Sequence, residues 1–293
     1  MNWDGLLLIN KPKGQTSHSV VELLRQRLGI SKAGHLGTLD PLATGVFPVC
    51  LGKATRLAPF YMAADKCYLA HIRFGFFTTT DDREGDMEGS PTKVKFSPAE
   101  LDQVLQSLRG DYQQKPPAFS AKKIGGQKAY QLARKGKTAA LPLQKVRIHD
   151  VQLLQFEKDV ALVSLHCSSG TYVRSIARDL GRRLLCGAHV SELIRTRFNH
   201  FSLEETCDPE VSITKLKTSF LPLEKCLTHF PELVVNLKLS RKILNGSAVS
   251  VVTFGLGDQE WVRVFSEQRA LLAFATVEPQ ENLHRIQPKI VFH

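Results

Sequence analysis

The sequence predicts an α+β fold, with a mixed, mainly antiparallel sheet flanked by helices and a small β-rich module at the C-terminus. Three observations carry this. Strand-like and helix-like runs follow one another without a regular strand–helix–strand rhythm, which argues against a doubly wound parallel sheet. The chain has 293 residues and 43% hydrophobic content, enough to bury the core of one large domain plus a small one. Near Asp208 the composition shifts, acids and bases thin out, and short β-like runs dominate to the end.

The elements follow in order. Gly5 to Asn10 is a short apolar run that reads as a buried strand, and the Lys11–Thr16 stretch turns the chain. Val20, Leu23, Leu24 and Leu28 recur at helical spacing, so a helix is expected from about Ser17 to Leu28, stopped by Gly29. From Lys66 to Gly75 residues alternate, with Tyr68, Ala70, Ile72 and Phe74 sharing a face of a strand. Thr78 to Pro91 reads as a polar, acidic loop. Ser97-Pro-Ala-Glu100 is a capping box with proline at the first helical position, and Leu101, Val104, Leu105 and Leu108 continue the helix to Gly110. Val146–Phe156 and Val160–Cys167 read as strands, and Thr171–Leu185 as a helix with a basic face. A short helix at Leu239–Leu244 and strands at 248–252, 261–265, 271–274 and 286–292 complete the chain. The expected division is a large domain over 1–225 and a small β-rich domain over 226–293.

Lysines and arginines number 39 against 28 acids, a formal charge of +11 that suits a polyanionic partner. The most basic tract lies between Gln113 and His149, with nine lysines and arginines and no acid. No run approaches the roughly 18 apolar residues of a membrane helix. The N-terminus lacks the layout of a signal peptide. The six cysteines have no Cys-x-x-Cys spacing, which points to reduced thiols, mostly small core residues, in a cytoplasmic protein. No P-loop, dinucleotide fingerprint or metal-ligand spacing is present, so no cofactor and no metal are expected.

The most informative segment is Gly34-His-Leu-Gly-Thr-Leu-Asp-Pro-Leu-Ala-Thr-Gly45. It sets one carboxylate, Asp40, in a loop of glycine, threonine and proline. Pro41 pushes Asp40 toward an extended backbone. Gly34, Gly37 and Gly45 can take positive φ or admit a close backbone neighbour. The plain alternative is an ordinary turn, since Asp-Pro and Thr-Gly are common turn dipeptides. A cation would keep such an acid ionised in a dry pocket, and Arg174, near a helix entry at Gly170-Thr171, is the natural partner. Its alternative is a solvated helix residue.

The run from Gly34 to Gly45, continuing through Pro48–Arg56, resembles the signature of the TruB family of tRNA pseudouridine synthases. Gly170-Thr-Tyr-Val-Arg174 with Asp179-Leu-Gly181 resembles a second block of the same family, and the likeness covers about residues 5–205. The resemblance implies a pseudouridine-synthase core and a C-terminal PUA-like RNA-binding domain. It makes Asp40 the catalytic aspartate and Arg174 its partner, with Tyr68 stacking on the target base, Tyr172 shaping the pocket and Leu193 packing on the base. It gives His35 the task of prising the uridine out of the T loop, and it places Asp82 near the site, with Asp81 as its competitor. Read on their own, Tyr68 is a strand-core tyrosine, Leu193 a helix-core leucine and His35 a structural histidine. The early Lys11-Pro-Lys-Gly-Gln-Thr-Ser-His18 run resembles a motif that buttresses the catalytic loop, with Gln15 departing from it. The insertion at about 113–144 resembles a clamp on the tRNA arm. Lys11, Lys13, Lys122, Lys123, Lys128, Arg134 and Lys135 are then the expected RNA contacts. Asn199 stands where the family shows glycine, and asparagine tolerates the left-handed conformation.

The activity implied is isomerisation of the T-loop uridine of tRNA by a monomer, with tRNA the partner, no protein partner and no membrane. Two alternatives stand beside it: a tRNA-binding or folding protein with an idle site, and the catalytic subunit of a guide-RNA-dependent particle.

Overall fold

The computed structural model describes residues 3–119, 123–124, 127–128, 141–252, 260–280 and 283–293. Its main sheet has ten strands. In chain order these are β1 (Gly5–Lys11), β2 (Ala33–His35), β3 (Ala43–Leu51), β4 (Lys66–Phe74), β5 (Gly110–Gln114), β6 (Gln144–Glu157), β7 (Val160–Cys167), β8 (Ala188–Phe198), β9 (Phe201–Ser202) and β10 (Phe220–Pro222). Their spatial order is β10-β1-β3-β8-β4-β7-β6-β5, with β2 paired to β3 and β9 to β8. The β3–β8 pair is parallel and the other ladders are antiparallel, so the sheet is mixed and mainly antiparallel as expected.

Three helices support this sheet. Helix α1 (Ser17–Leu28) starts where the Thr16 side chain accepts from the Ser19 N–H and ends at Gly29, in the left-handed conformation at φ 61°. Helix α2 (Pro98–Gln106) carries the capping box of Ser97 and Glu100. Helix α3 (Val173–Arg183) buries Val173, Ile176, Ala177 and Leu180. The apolar sides of all three meet Tyr68, Ala70, Ile72 and Phe74 on one face of β4 in a single core. That face is the one which alternation predicts. The predicted helix at 171–185 is shorter at both ends.

The C-terminal part forms a five-stranded sheet, β11 (Glu232–Val235), β12 (Val249–Val251), β13 (Trp261–Ser266), β14 (Leu271–Gln280) and β15 (Leu283–Val291), in the order β11-β13-β14-β15-β12. Helix α4 (Leu237–Leu244) packs on it, capped by Asn236. Phe265, Leu271, Phe274 and Phe292 share a cluster with Leu6, Leu8 and Val46 of the main sheet, so the two parts join through a common apolar seam.

Two readings need correction. Leu193 lies on strand β8, not in a helix core. The 78–91 stretch is not wholly loop, because Phe77–Thr78 pairs with Met87–Glu88. The departure at Asn199 behaves as expected: its φ is 54°, and its N–H donates to the Asp65 carbonyl at 2.9 Å.

Candidate active site

The loop between β2 and β3 is held at nearly every residue. Ser17, at the start of α1, donates to the Leu39 carbonyl at 2.8 Å and accepts from the Leu39 N–H at 2.9 Å. The Gly14 N–H donates to the Pro41 carbonyl at 2.8 Å. From the other side Arg195, wholly buried on β8, donates to the carbonyls of Gly37 at 3.2 Å and Val46 at 2.7 Å. Gly45 is the glycine that the geometry requires. Its φ is 106°, and a Cβ there would sit 2.2 Å from the Arg195 carbonyl oxygen. This is where β3 and β8 run parallel, with Gly45 opposite Arg195. Gly34 and Gly37 meet no such constraint.

The loop presents Asp40 to Arg174 from the first turn of α3. The guanidinium contacts both carboxylate oxygens, at 2.8 Å and 3.0 Å. It also donates to the carbonyls of Thr80 and Phe119, each at 3.0 Å, and lies 3.5 Å from the Asp82 carboxylate. Arg174 and Asp82 are each about 5% exposed, whereas Asp40 is 30% exposed. The geometry thus gives Asp40 one side held by a cation and one side open to the cleft. Asp82, rather than Asp81, faces Arg174; Asp81 pairs with Arg178 at 2.8 Å.

The cleft beside Asp40 has a volume of about 320 Å³, within the usual range for small-ligand pockets. Tyr68, Tyr172, Leu193 and Arg174 line it, with Phe119. Tyr68 comes from β4 and Leu193 from β8, opposite Ala70 on the same face. Burial pushes the Tyr68 phenol up to about 12, although Arg195 beside it opposes the shift, so it is neutral at physiological pH. Burial also lowers Arg195 from its ordinary value.

His35 packs on Phe47, with ring centroids 5.5 Å apart, on β2 rather than among the cleft-lining residues. Lys13 is exposed and pairs with Glu192 at 3.2 Å. The reading of Lys11 as an RNA contact is corrected. Its side chain is fully buried, and the ammonium donates to the carbonyls of Pro12, Gln15 and Pro41 at 2.8, 2.7 and 3.4 Å. It braces the loop that carries Asp40 from beneath and reaches no solvent. Burial lowers its pKa to about 8 against the pull of Asp40. Lys123 and Lys128 lie on a two-residue ladder. Lys122, Arg134 and Lys135 lie outside the described residues.

Three residues of the site escaped the sequence reading. Arg195 is two positions beyond Leu193, and an arginine at an inward strand position was the available signal. Lys66 lines the cleft with its ammonium 5.0 Å above the Phe198 ring, and burial lowers its pKa to about 8. Phe119 gives no local signal, because its carbonyl matters as well as its ring. The stem of the basic insertion is tied to α3 and to the turn before it: Ser175 donates to the Lys115 carbonyl at 2.8 Å, and the Gln114 amide donates to the Gly170 carbonyl at 2.9 Å.

The fold has relatives among solved structures. The chain overlays on a protein of an H/ACA RNP bound to a substrate RNA containing 2'-deoxyuridine, with a TM-score of 0.72 over 99% of this chain and 86% of the other, at 23% identity. It overlays likewise on one from a Cbf5-Nop10-Gar1 complex, with a TM-score of 0.70 over 99% and 84%, at 25% identity. These likenesses speak to the fold. In sequence, residues 25–173 match the N-terminal domain of the TruB family pseudouridylate synthases, and residues 174–228 match a tRNA pseudouridylate synthase B C-terminal domain. Fold and sequence match therefore define a pseudouridine synthase, an isomerase. Within that class the chain belongs to the TruB family. Its relatives include the tRNA pseudouridine synthase B of Solibacter usitatus, 41% identical over 83% of this chain and 85% of the other. That of Geobacillus kaustophilus is 40% identical over 86% and 92%. That of Caldanaerobacter subterraneus is 37% identical over the full length of both.

Proposed function

We propose that the chain converts the T-loop uridine of tRNA to pseudouridine, with Asp40 as the acting carboxylate. The observation that carries this reading is the Asp40–Arg174 pair at the edge of a nucleoside-sized cleft lined by Tyr68, Tyr172 and Leu193. A uridine must leave its stack to reach such a cleft, and aromatic and aliphatic faces compensate the lost stacking. The glycosidic C1′–N1 bond breaks, the base turns, and C1′ bonds to C5. The C5 proton is lost and N1 ends protonated, so atoms balance and no redox partner is needed. Arg174 aims Asp40 by touching both of its carboxylate oxygens. Lys66 and Arg195 stand buried in the cleft wall, where backbone carbonyls of Ala64, Val46 and Gly37 hold them, so they shape the cleft and do not reach the phosphates. We assign Asp82 to orienting Arg174, His35 to displacing the base from the loop, and the insertion at about 113–144 to gripping the T arm, with the β-rich C-terminal part as a further RNA contact.

The test is Asp40→Asn. Release of tritium from C5-tritiated tRNA should fall below detection, while tRNA binding stays within about twofold. Turnover retained by the variant would refute the assignment. The likeness to proteins of H/ACA particles raises a second reading, dependence on a guide RNA. Pure protein with an unmodified T-arm hairpin separates the two: product without guide supports the stand-alone reading, and none without it supports the other.

A further inference from the structure

No ligand spacing along the sequence announces a metal cluster, yet the fold assembles one. Asp65 ends the segment before β4, His149 lies on β6 and His166 on β7, three neighbouring strands of the sheet. One ligand atom from each lies within 4.8 Å of the others. Both imidazoles aim Nε2 at the same carboxylate oxygen, Asp65 Oδ2, at 3.2 Å for His149 and 3.9 Å for His166. The two rings stand with centroids 4.7 Å apart and tilted by 39°.

Those distances are close to what a metal needs. Ligand atoms about 2.0–2.1 Å from a tetrahedral ion stand roughly 3.3 Å from each other. His149 already meets that spacing with Asp65, and His166 meets it after a shift of well under an ångström. The backbone is fixed in advance: the Asn199 N–H holds the Asp65 carbonyl at 2.9 Å, and β6 steps out of register between Ile148 and Asp150, at His149. Such a step re-aims a side chain. All three side chains are partly exposed, so an ion has an entry path and keeps at least one position for water. His166 lies opposite Cys67 in the ladder, and Tyr68 lies opposite Leu165. The cluster is therefore on the sheet face away from the cleft.

We propose that Asp65, His149 and His166 form a binding site for a late first-row divalent metal ion, zinc(II) first among them. Two imidazoles and one carboxylate suit zinc, cobalt or nickel and do not suit magnesium or calcium, which prefer oxygen. The ion joins β4, β7 and β6 behind the cleft, just ahead of Lys66 and Tyr68. Its effect is on the folded state, and no step of the isomerisation passes through it.

The experiment is titration of the metal-free full chain with zinc chloride by calorimetry, and with cobalt chloride by visible absorption. One saturable equivalent is expected. Bound cobalt should show the intense bands of low coordination, and zinc should raise the melting temperature by mass action. Asp65→Asn, His149→Ala and His166→Ala should each weaken zinc binding by more than about tenfold. His18→Ala, at an unrelated exposed histidine, and Cys67→Ser should leave it unchanged. Circular dichroism checks that each variant folds. Absence of saturable binding would overturn the proposal. So would binding that survives His149→Ala and His166→Ala but is lost in Cys67→Ser, which would mark a thiol site instead.

Discussion

Arg174→Ala is the substitution whose consequence follows most directly from the geometry. It removes the guanidinium that touches Asp40 twice, faces Asp82 at 3.5 Å and donates to the carbonyls of Thr80 and Phe119. Breaking a buried ion pair by deleting one member costs about 3–5 kcal/mol, because the partner stays charged without compensation. Asp82 keeps two partners, the Thr80 hydroxyl at 2.6 Å and the Glu84 N–H at 3.0 Å, and Asp40 is partly solvated. The low end, about 3 kcal/mol, is therefore expected. In a domain of this size that lowers the melting temperature by ~6–12 °C. The assay is urea unfolding alongside tritium release, with Asp82→Asn as the second arm. Neutralising Asp82 removes the stranded charge, so the double variant should recover part of the loss, with a coupling of about 0.5–3 kcal/mol. Strictly additive losses, or a melting temperature within about 2 °C of wild type, would refute the claim that Arg174 is the hub of the site.

Three further outcomes follow. Gly45→Ala should destabilise by about 3 kcal/mol or more, since φ is 106° and the new Cβ meets the Arg195 carbonyl; an unchanged urea midpoint would contradict this. Lys11 has a folded pKa of about 8, below its unfolded 10.5, so the unfolded chain binds more protons across that window and stability rises as pH climbs from about 8 to 10.5. Lys11→Met removes this rise, and wild type should gain on the variant between pH 7.5 and 10 in matched urea curves; a constant gap would argue against a neutralising Lys11. Binding of tRNA should weaken steeply between 50 and 200 mM salt, by roughly a hundredfold or more, because phosphates supply the contacts; a flat response in a filter-binding assay would remove that basis.

The sequence alone determined the local structure wherever the signal is periodic or carried by a cap. Helix α1 ends at Gly29 because a left-handed residue stops it there, and α2 begins at the Ser97–Glu100 box. Strand β4 turns Tyr68 inward because alternation leaves no other face. The Gly34–Gly45 signature also marked Asp40, and its resemblance to a family marked Arg174, Tyr68, Tyr172 and Leu193. Tertiary structure decided what depends on long-range pairing. It placed Asp40 against Arg174, 134 positions apart in the chain, because α3 packs across the strands that anchor the loop. It turned Lys11 inward, a result that a basic turn cannot announce, and it made Arg195 the clamp of the Asp40 loop through a parallel pairing absent from any local pattern. It also gathered Asp65, His149 and His166 from three strands. Spacing along a chain encodes which face a residue presents. Which residue it then meets is set by strand order and register, and those are properties of the whole sheet.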